Sequence, residues 1–423
     1  MGLWSSLRTL GVSNPREIRL IAVAHGVNEF YSVALPPILP LIVSDFSISY
    51  GQAGALVTVF FIMYSVFQIP AGRLTDRFGQ RWILGIGMFI LAGGFLLATF
   101  AQNYRTLLVA EAVAGIGGST YHPAGMSLIS DIETDDTEGK AMGIHGIGGV
   151  VGTALAPVFI GGLATILDWR LALGLASSIG FVYGIVFLVV FRNVEKKTSG
   201  TELIDDGGRD PQKAADHSKD EGYLMHVASL TKVPFERWVG VLFIANFTIA
   251  LEVSAVRTFI PSYFVEYASA NTGTANVGLF ILLVGAGFAS MASGVLSDAL
   301  DRKQLASSLM VLSAAILVAT AFVPPDLTVL YVWMFLLGLV MYGAMPVMNS
   351  ITSYFSEQEF SGSLFALMLS AASVGSAVGP LIFGSAAERF GMPIGFPLMG
   401  AVALVGAGAF LMLPELRRTA QNT

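Results

Sequence analysis

The decapeptide GRLTDRFGQR, Gly72–Arg81, packs four charged residues between two long apolar runs. Charge is scarce elsewhere: of 423 residues, 54% are hydrophobic and 12% charged, and mean hydropathy is +0.71. A soluble chain carries about a quarter charged residues. Apolar runs of about 18 residues or more read as membrane-spanning helices, since the hydrocarbon core is roughly 30 Å thick. The decapeptide therefore reads as a short link on one membrane face, joining the second span to the third.

Working outward, twelve such spans are expected, at about 18–43, 51–74, 82–101, 104–131, 139–166, 169–192, 237–264, 276–299, 303–323, 327–354, 361–388 and 393–414. In lipid every backbone amide needs an internal partner, so runs this long must be helical. The fold class is thus an all-α polytopic membrane protein. If the N-terminus is cytoplasmic, Arg105, Arg170 and Arg389 fall outside and Arg257 lies within a span. The other nineteen of 23 Lys and Arg then fall inside (23 − 4). Such a bias places both termini in the cytoplasm, in a cell membrane. The first span holds His25 and Glu29 and has no small-residue cleavage site, so it reads as a retained helix rather than a signal peptide. Absence of Cys excludes disulfides and thiolate metal sites.

The pattern repeats. Gly72-x-Leu74-x-Asp76 returns as Gly294-x-Leu296-x-Asp298, 222 residues on; Gly115 and Pro123 return as Gly338 and Pro346, 223 on. Gly152, Pro157 and Gly161 match Gly375, Pro380 and Gly384, again at 223. A near-constant offset along the chain indicates a duplicated six-helix unit, an arrangement many secondary transporters use. The expected domains are an N-terminal bundle (1–192), a charged, Gly-rich flexible cytoplasmic linker (193–235) and a C-terminal bundle (236–423).

Gly72-x-x-x-Asp76-Arg77-x-Gly79-x-Arg81 resembles the signature loop of the major facilitator superfamily, with a degenerate twin ending at Asp298. The Gly-rich fifth span with Ala156-Pro157 resembles a motif of that superfamily's proton-driven exporters, departing from it in the Ala before Pro and in one extra residue before Gly161. HGVNEFYSVALPPILP in span one and GIGGSTYHPAG in span four are most similar to the fosmidomycin-resistance type of exporter. The resemblance implies alternating access by two bundles, driven by an ion gradient. It also implies a gating role for the loop of Gly72, Asp76, Arg77, Gly79 and Arg81. Gly72 would let two helices approach closely, and Asp76 would accept from a helix N-terminus. Arg77 and Arg81 would latch onto Asp131, Glu133, Asp135, Asp136 and Glu138 in the next cytoplasmic loop. The alternative is that these arginines only set topology.

Ionisable residues inside a membrane are costly and usually face a cavity or a partner. His25 and Glu29, at i and i+4, share one helix face, with Glu29 near the midplane. His122 on span four and His145 on span five fall at similar depth to His25. The proton-coupling candidates are Glu29, His25, His122 and Glu111; a histidine titrates near neutral pH. Glu111 stands where many superfamily exporters carry arginine, so it replaces that relay or pairs with Arg257. Arg257, the single cation inside a span, otherwise receives an anionic substrate. Glu252, Asn28, Tyr31, Tyr121, His145, Asn246 and Tyr342 complete the expected substrate-binding set, although each His, Tyr and Asn could equally bridge helices.

The chain has neither H-E-x-x-H nor a G-x-x-x-x-G-K-[ST] loop, which excludes a zincin and self-powered ATP transport. No basic patch supports nucleic-acid binding, and nothing in the spacing of His25, Glu29, His122 and His145 demands a metal. No enzyme activity and no cofactor are expected. The expectation is a monomeric, proton-coupled exporter of a small drug-like or anionic solute. Its partners are that solute, protons and the bilayer; an importer of an organic anion or sugar is the alternative.

Overall fold

A computed structural model describes residues 11–193, 236–355 and 361–414. Its elements are helical: α1 (Pro15–Ser32), α2 (Leu39–Phe46), α3 (Tyr50–Phe78), α4 (Gln80–Thr99), α5 (Tyr104–Gly118), α6 (Tyr121–Ile132), α7 (Asp135–Ala156), α8 (Gly162–Ile166) and α9 (Trp169–Val190). Then follow α10 (Arg237–Tyr267), α11 (Thr272–Ala299), α12 (Arg302–Thr320), α13 (Leu327–Met341), α14 (Ala344–Phe355), α15 (Ser361–Phe390) and α16 (Gly395–Met412). Among the described residues, eleven stretches are long and apolar enough to cross a membrane. The expected fourth span is not one of them. It forms α5 and α6, of 15 and 12 residues, interrupted at Ser119–Thr120. The linker expected at 193–235 lies, beyond Asn193, outside the described residues.

Local chemistry sets where these helices begin. Asn103, Asp168, Asn271, Asp301 and Asp326 each accept a hydrogen bond from a first-turn backbone N–H of α5, α9, α11, α12 and α13. Such caps satisfy amides that have no partner inside the helix. Gly79, at φ +84°, makes the sharp turn between α3 and α4, a conformation only glycine adopts without strain. Pro36–Pro37 divide the expected first span, where a short 3-10 turn separates α1 from α2. Pro157 opens one π-helical turn between α7 and α8. The acidic run DIETDD is only in part a loop, because α7 already starts at Asp135, and carboxylates suit the positive end of a helix.

Contacts group the chain into two compact units, Met1–Ile38 with Val59–Leu224, and Leu39–Thr58 with Met225–Thr423. Within the first unit, α1 packs on α7 backbone to backbone. A Cβ on Gly152 would lie 1.9 Å from the Gly26 carbonyl oxygen, and one on Gly148 2.0 Å from that of Ala22. Within the second, α15 packs on α10 in the same way: Cβ atoms on Gly375 and Gly379 would lie 2.3 Å from the Phe247 and Leu251 oxygens. Gly115 meets the Phe60 oxygen and Gly338 that of Leu282. These crossings repeat at offsets of 221–223 residues (247 − 26, 282 − 60, 338 − 115, 375 − 152), so the duplication read from the sequence is also one of packing. The interruption repeats too, since α13 and α14 begin 223 residues after α5 and α6 (327 − 104, 344 − 121).

Also in the second unit, Leu39–Thr58 lies against α15. Thr58 donates to the Ala377 oxygen at 2.6 Å, and Gly54 leaves room for the Pro380 carbonyl. Small residues permit such close approach where helices cannot be driven together by water.

Candidate functional site

The first unit gathers its ionisable groups at the crossing of α1, α6 and α7. Because Gly148 and Gly152 let α7 press on α1, the His25 ring is wedged between neighbours. It stacks on His145 with centroids 4.0 Å apart and on Tyr121 at 5.2 Å, the three ring planes agreeing within 4°. His25 Nδ1 lies 2.9 Å from the His145 carbonyl oxygen. A carbonyl only accepts, so Nδ1 carries the hydrogen, and in the neutral ring Nε2 is left as an acceptor. Tyr121 is itself held by a hydrogen bond from its hydroxyl to the Ile21 oxygen, 2.9 Å.

Nε2 of His25 points at Glu29. Glu29 Oε1 lies 3.8 Å from His25 Nε2 and 3.8 Å from His122 Nε2. Oε2 accepts from Ser32 Oγ at 3.1 Å, and Asn28 Nδ2 sits 3.4 Å from Oε1. Asn28 also donates to the Tyr64 hydroxyl at 3.2 Å. The side chains of Glu29 and His122 each remain 22% exposed. This cluster can pass a proton among three titratable groups.

The other expected residues are distributed differently. Glu111 is buried on α5, its Oε1 without a hydrogen-bond partner among the described residues. Tyr31 is buried, donating to the Ala176 oxygen and accepting from the Gly180 amide. Both its hydrogen-bonding capacities tie α1 to α9, leaving none for a ligand in this structure. In the second unit Glu252 is buried and accepts from Ser313 Oγ. Arg257 is half-buried; among the described residues its Nε has no hydrogen-bond partner and it makes no ion pair. Asn246 donates to the Met368 oxygen, and the Tyr342 hydroxyl is buried.

Around the signature loop, Arg81 Nε donates to the Leu188 oxygen at 2.7 Å, while Gln80 reaches Asp131 at 2.6 Å. Among the described residues Asp76 and Arg77 make no ion pair, and Arg77 lies over the Phe78 ring. Asp298 sits 3.9 Å from Arg302. Gly72 departs from expectation: an added Cβ would meet only Pro123 Cβ, at 3.9 Å. That is an ordinary contact, so no close approach there requires glycine. Glu133 instead holds the start of α1, accepting from the Ser13 and Asn14 amides at 2.8 Å each. Partial burial pushes its carboxyl upward, but hydrogen bonds from Thr137, Ser13 and Asn14 outweigh this and hold it below the usual glutamate value.

Sequence reasoning missed Ser32, Ser313, Tyr64 and Gly149. Ser32, three residues after Glu29 on one face, was legible from spacing; Ser313 comes from another helix and left no signal.

A set of long apolar helices of this kind is that of a multi-span membrane protein. The sequence profile of the Major Facilitator Superfamily matches residues 21–280 and 242–423. The chain belongs to that superfamily. The fosmidomycin resistance protein of Escherichia coli (strain K12) is 24% identical over 284 residues, 67% of this chain and 65% of that protein. The probable L-galactonate transporter of the same strain is matched over only 33% of its length. The multidrug resistance protein MdtG of Dickeya zeae (strain Ech586) is 24% identical over 395 residues, 90% of each chain. A solved bacterial homolog of the human lysosomal transporter Spinster shares the fold, with TM-score 0.78, 15% identity and coverage of 94% of this chain and 96% of that one.

Proposed function

We propose that the chain is a proton-coupled exporter of a small drug-like or anionic solute, working by alternating access in the cell membrane. In this reading α5 and α6 together make a twelfth span, both termini are cytoplasmic, and the bundles 1–192 and 236–423 rock as monomeric halves. Glu29 carries the proton, with His25 and His122 as relay. The observation that carries the reading is the Glu29 carboxylate placed 3.8 Å from two histidine Nε2 atoms, all three partly exposed. Protonation and solute occupancy then favour opposite states, each shifting the equilibrium only by its differential affinity. Relatives described as fosmidomycin and multidrug resistance proteins support export of drug-like compounds.

The alternative is import of an organic anion. Arg257, half-buried and without an ion-pair partner among the described residues, favours it, as does a D-galactonate transporter of Escherichia coli O6:H1, 22% identical over 87% of this chain. Accumulation of fosmidomycin in inverted membrane vesicles, driven by an imposed pH gradient, tests the main reading. Uptake that Glu29→Gln abolishes supports it; full uptake by Glu29→Gln removes Glu29 from the coupling role.

A further inference from the structure

We propose that His25, Glu29 and His122 form a binding site for one divalent transition-metal ion of the zinc class. One ligand atom from each of the three residues lies within 4.8 Å of the other two. Two imidazoles and one carboxylate are the donor set that zinc-type ions take, with further positions filled by water. A tetrahedral zinc with ligands about 2.0–2.1 Å away needs donor atoms about 3.3–3.4 Å apart. The two Glu29 edges of 3.8 Å close to that by about half an ångström, and the His25–His122 edge, within 4.8 Å, by at most about 1.4 Å.

Three further features support a bound cation. His25 donates Nδ1–H to the His145 carbonyl, the hydrogen bond that ordinarily orients a metal-ligating histidine and fixes its tautomer. Glu29 is held from its other oxygen by Ser32. Glu29 and His122 are each partly exposed rather than sealed among other side chains. His145, although stacked on His25, contributes its carbonyl rather than its ring. Its Nε2 is buried without a hydrogen-bond partner among the described residues. The site does not depend on proton coupling.

The test is calorimetric titration of Zn2+ into the full-length, tag-free chain in detergent, with His217 and His226 replaced by Gln to remove the chain's two remaining histidines. One Zn2+ per chain is expected, with no binding of Mg2+ at the same concentration, and Glu29→Gln and His122→Gln should each weaken the affinity at least tenfold. Absence of saturable Zn2+ binding, or affinities in both variants within about threefold of the parent, overturns the proposal. If a variant does not fold, Co2+ added to the parent gives a second reading. Intense visible bands of tetrahedral coordination are expected, and weak octahedral ones contradict the site. Binding is read directly, so a failure here is distinct from a failure of transport.

Discussion

Gly152→Ala probes the α1–α7 crossing on which the candidate site depends. The new Cβ would stand 1.9 Å from the Gly26 carbonyl oxygen and 2.5 Å from Gly26 Cα. Non-bonded atoms settle at about 3.5 Å or more, so the two helices must part by roughly 1.5 Å. Both colliding atoms are backbone, and no rotamer change relieves them. Overpacking of this kind costs about 1–3 kcal/mol, against at most about 1 kcal/mol gained from alanine's helix propensity. Gly146→Ala, on the same helix with nothing within 4 Å of its Cβ, gains the propensity without the collision. Thermal unfolding of the full chain in one detergent compares them. Gly152→Ala should melt below the parent and Gly146→Ala at or above it. Equal melting of the two variants would refute the claimed backbone contact.

Other outcomes follow from the same geometry. Gly149→Ala places a Cβ 2.5 Å from the His25 ring. It should displace that ring and lower gradient-driven transport several-fold while the chain stays folded; transport at the parent rate contradicts the wedge. Tyr31→Phe removes the hydroxyl that bridges the Gly180 amide and the Ala176 carbonyl; the two are an i to i−4 pair of α9 that can still bond each other, so the loss should be about 0.5–1.5 kcal/mol of stability by thermal melting. Glu133 has a folded value below its unfolded one. Its contribution is therefore present above the unfolded value and lost as pH falls through the folded value. Being only partly buried it is worth about 1 kcal/mol or less, so protection of the Ser13 and Asn14 amides from hydrogen exchange, taken relative to the intrinsic rate at each pH, should fall on acidification through the carboxylate range and in Glu133→Gln at neutral pH.

Eleven of the twelve expected spans were legible because apolar runs of such length exceed any soluble pattern, and the duplication because Gly and Pro recur at fixed offsets. The break at Ser119–Thr120 was not legible, since an apolar run reads continuously across a local loss of helical hydrogen bonds. Within the site, the i to i+4 spacing placed His25 with Glu29, and depth counting brought His122 near. The ring stack escaped because it depends on how far Gly148 and Gly152 let α7 approach α1. Gly72 was misjudged for the same reason, since a glycine in a motif does not reveal what faces it.

The most direct test of the account follows proton movement in proteoliposomes holding a pH gradient as organic anions and drugs, fosmidomycin among them, are added. The account predicts that at least one compound collapses the gradient in the parent and that Glu29→Gln abolishes the collapse. Collapse of equal size in Glu29→Gln would contradict the coupling role of the His25–Glu29–His122 cluster.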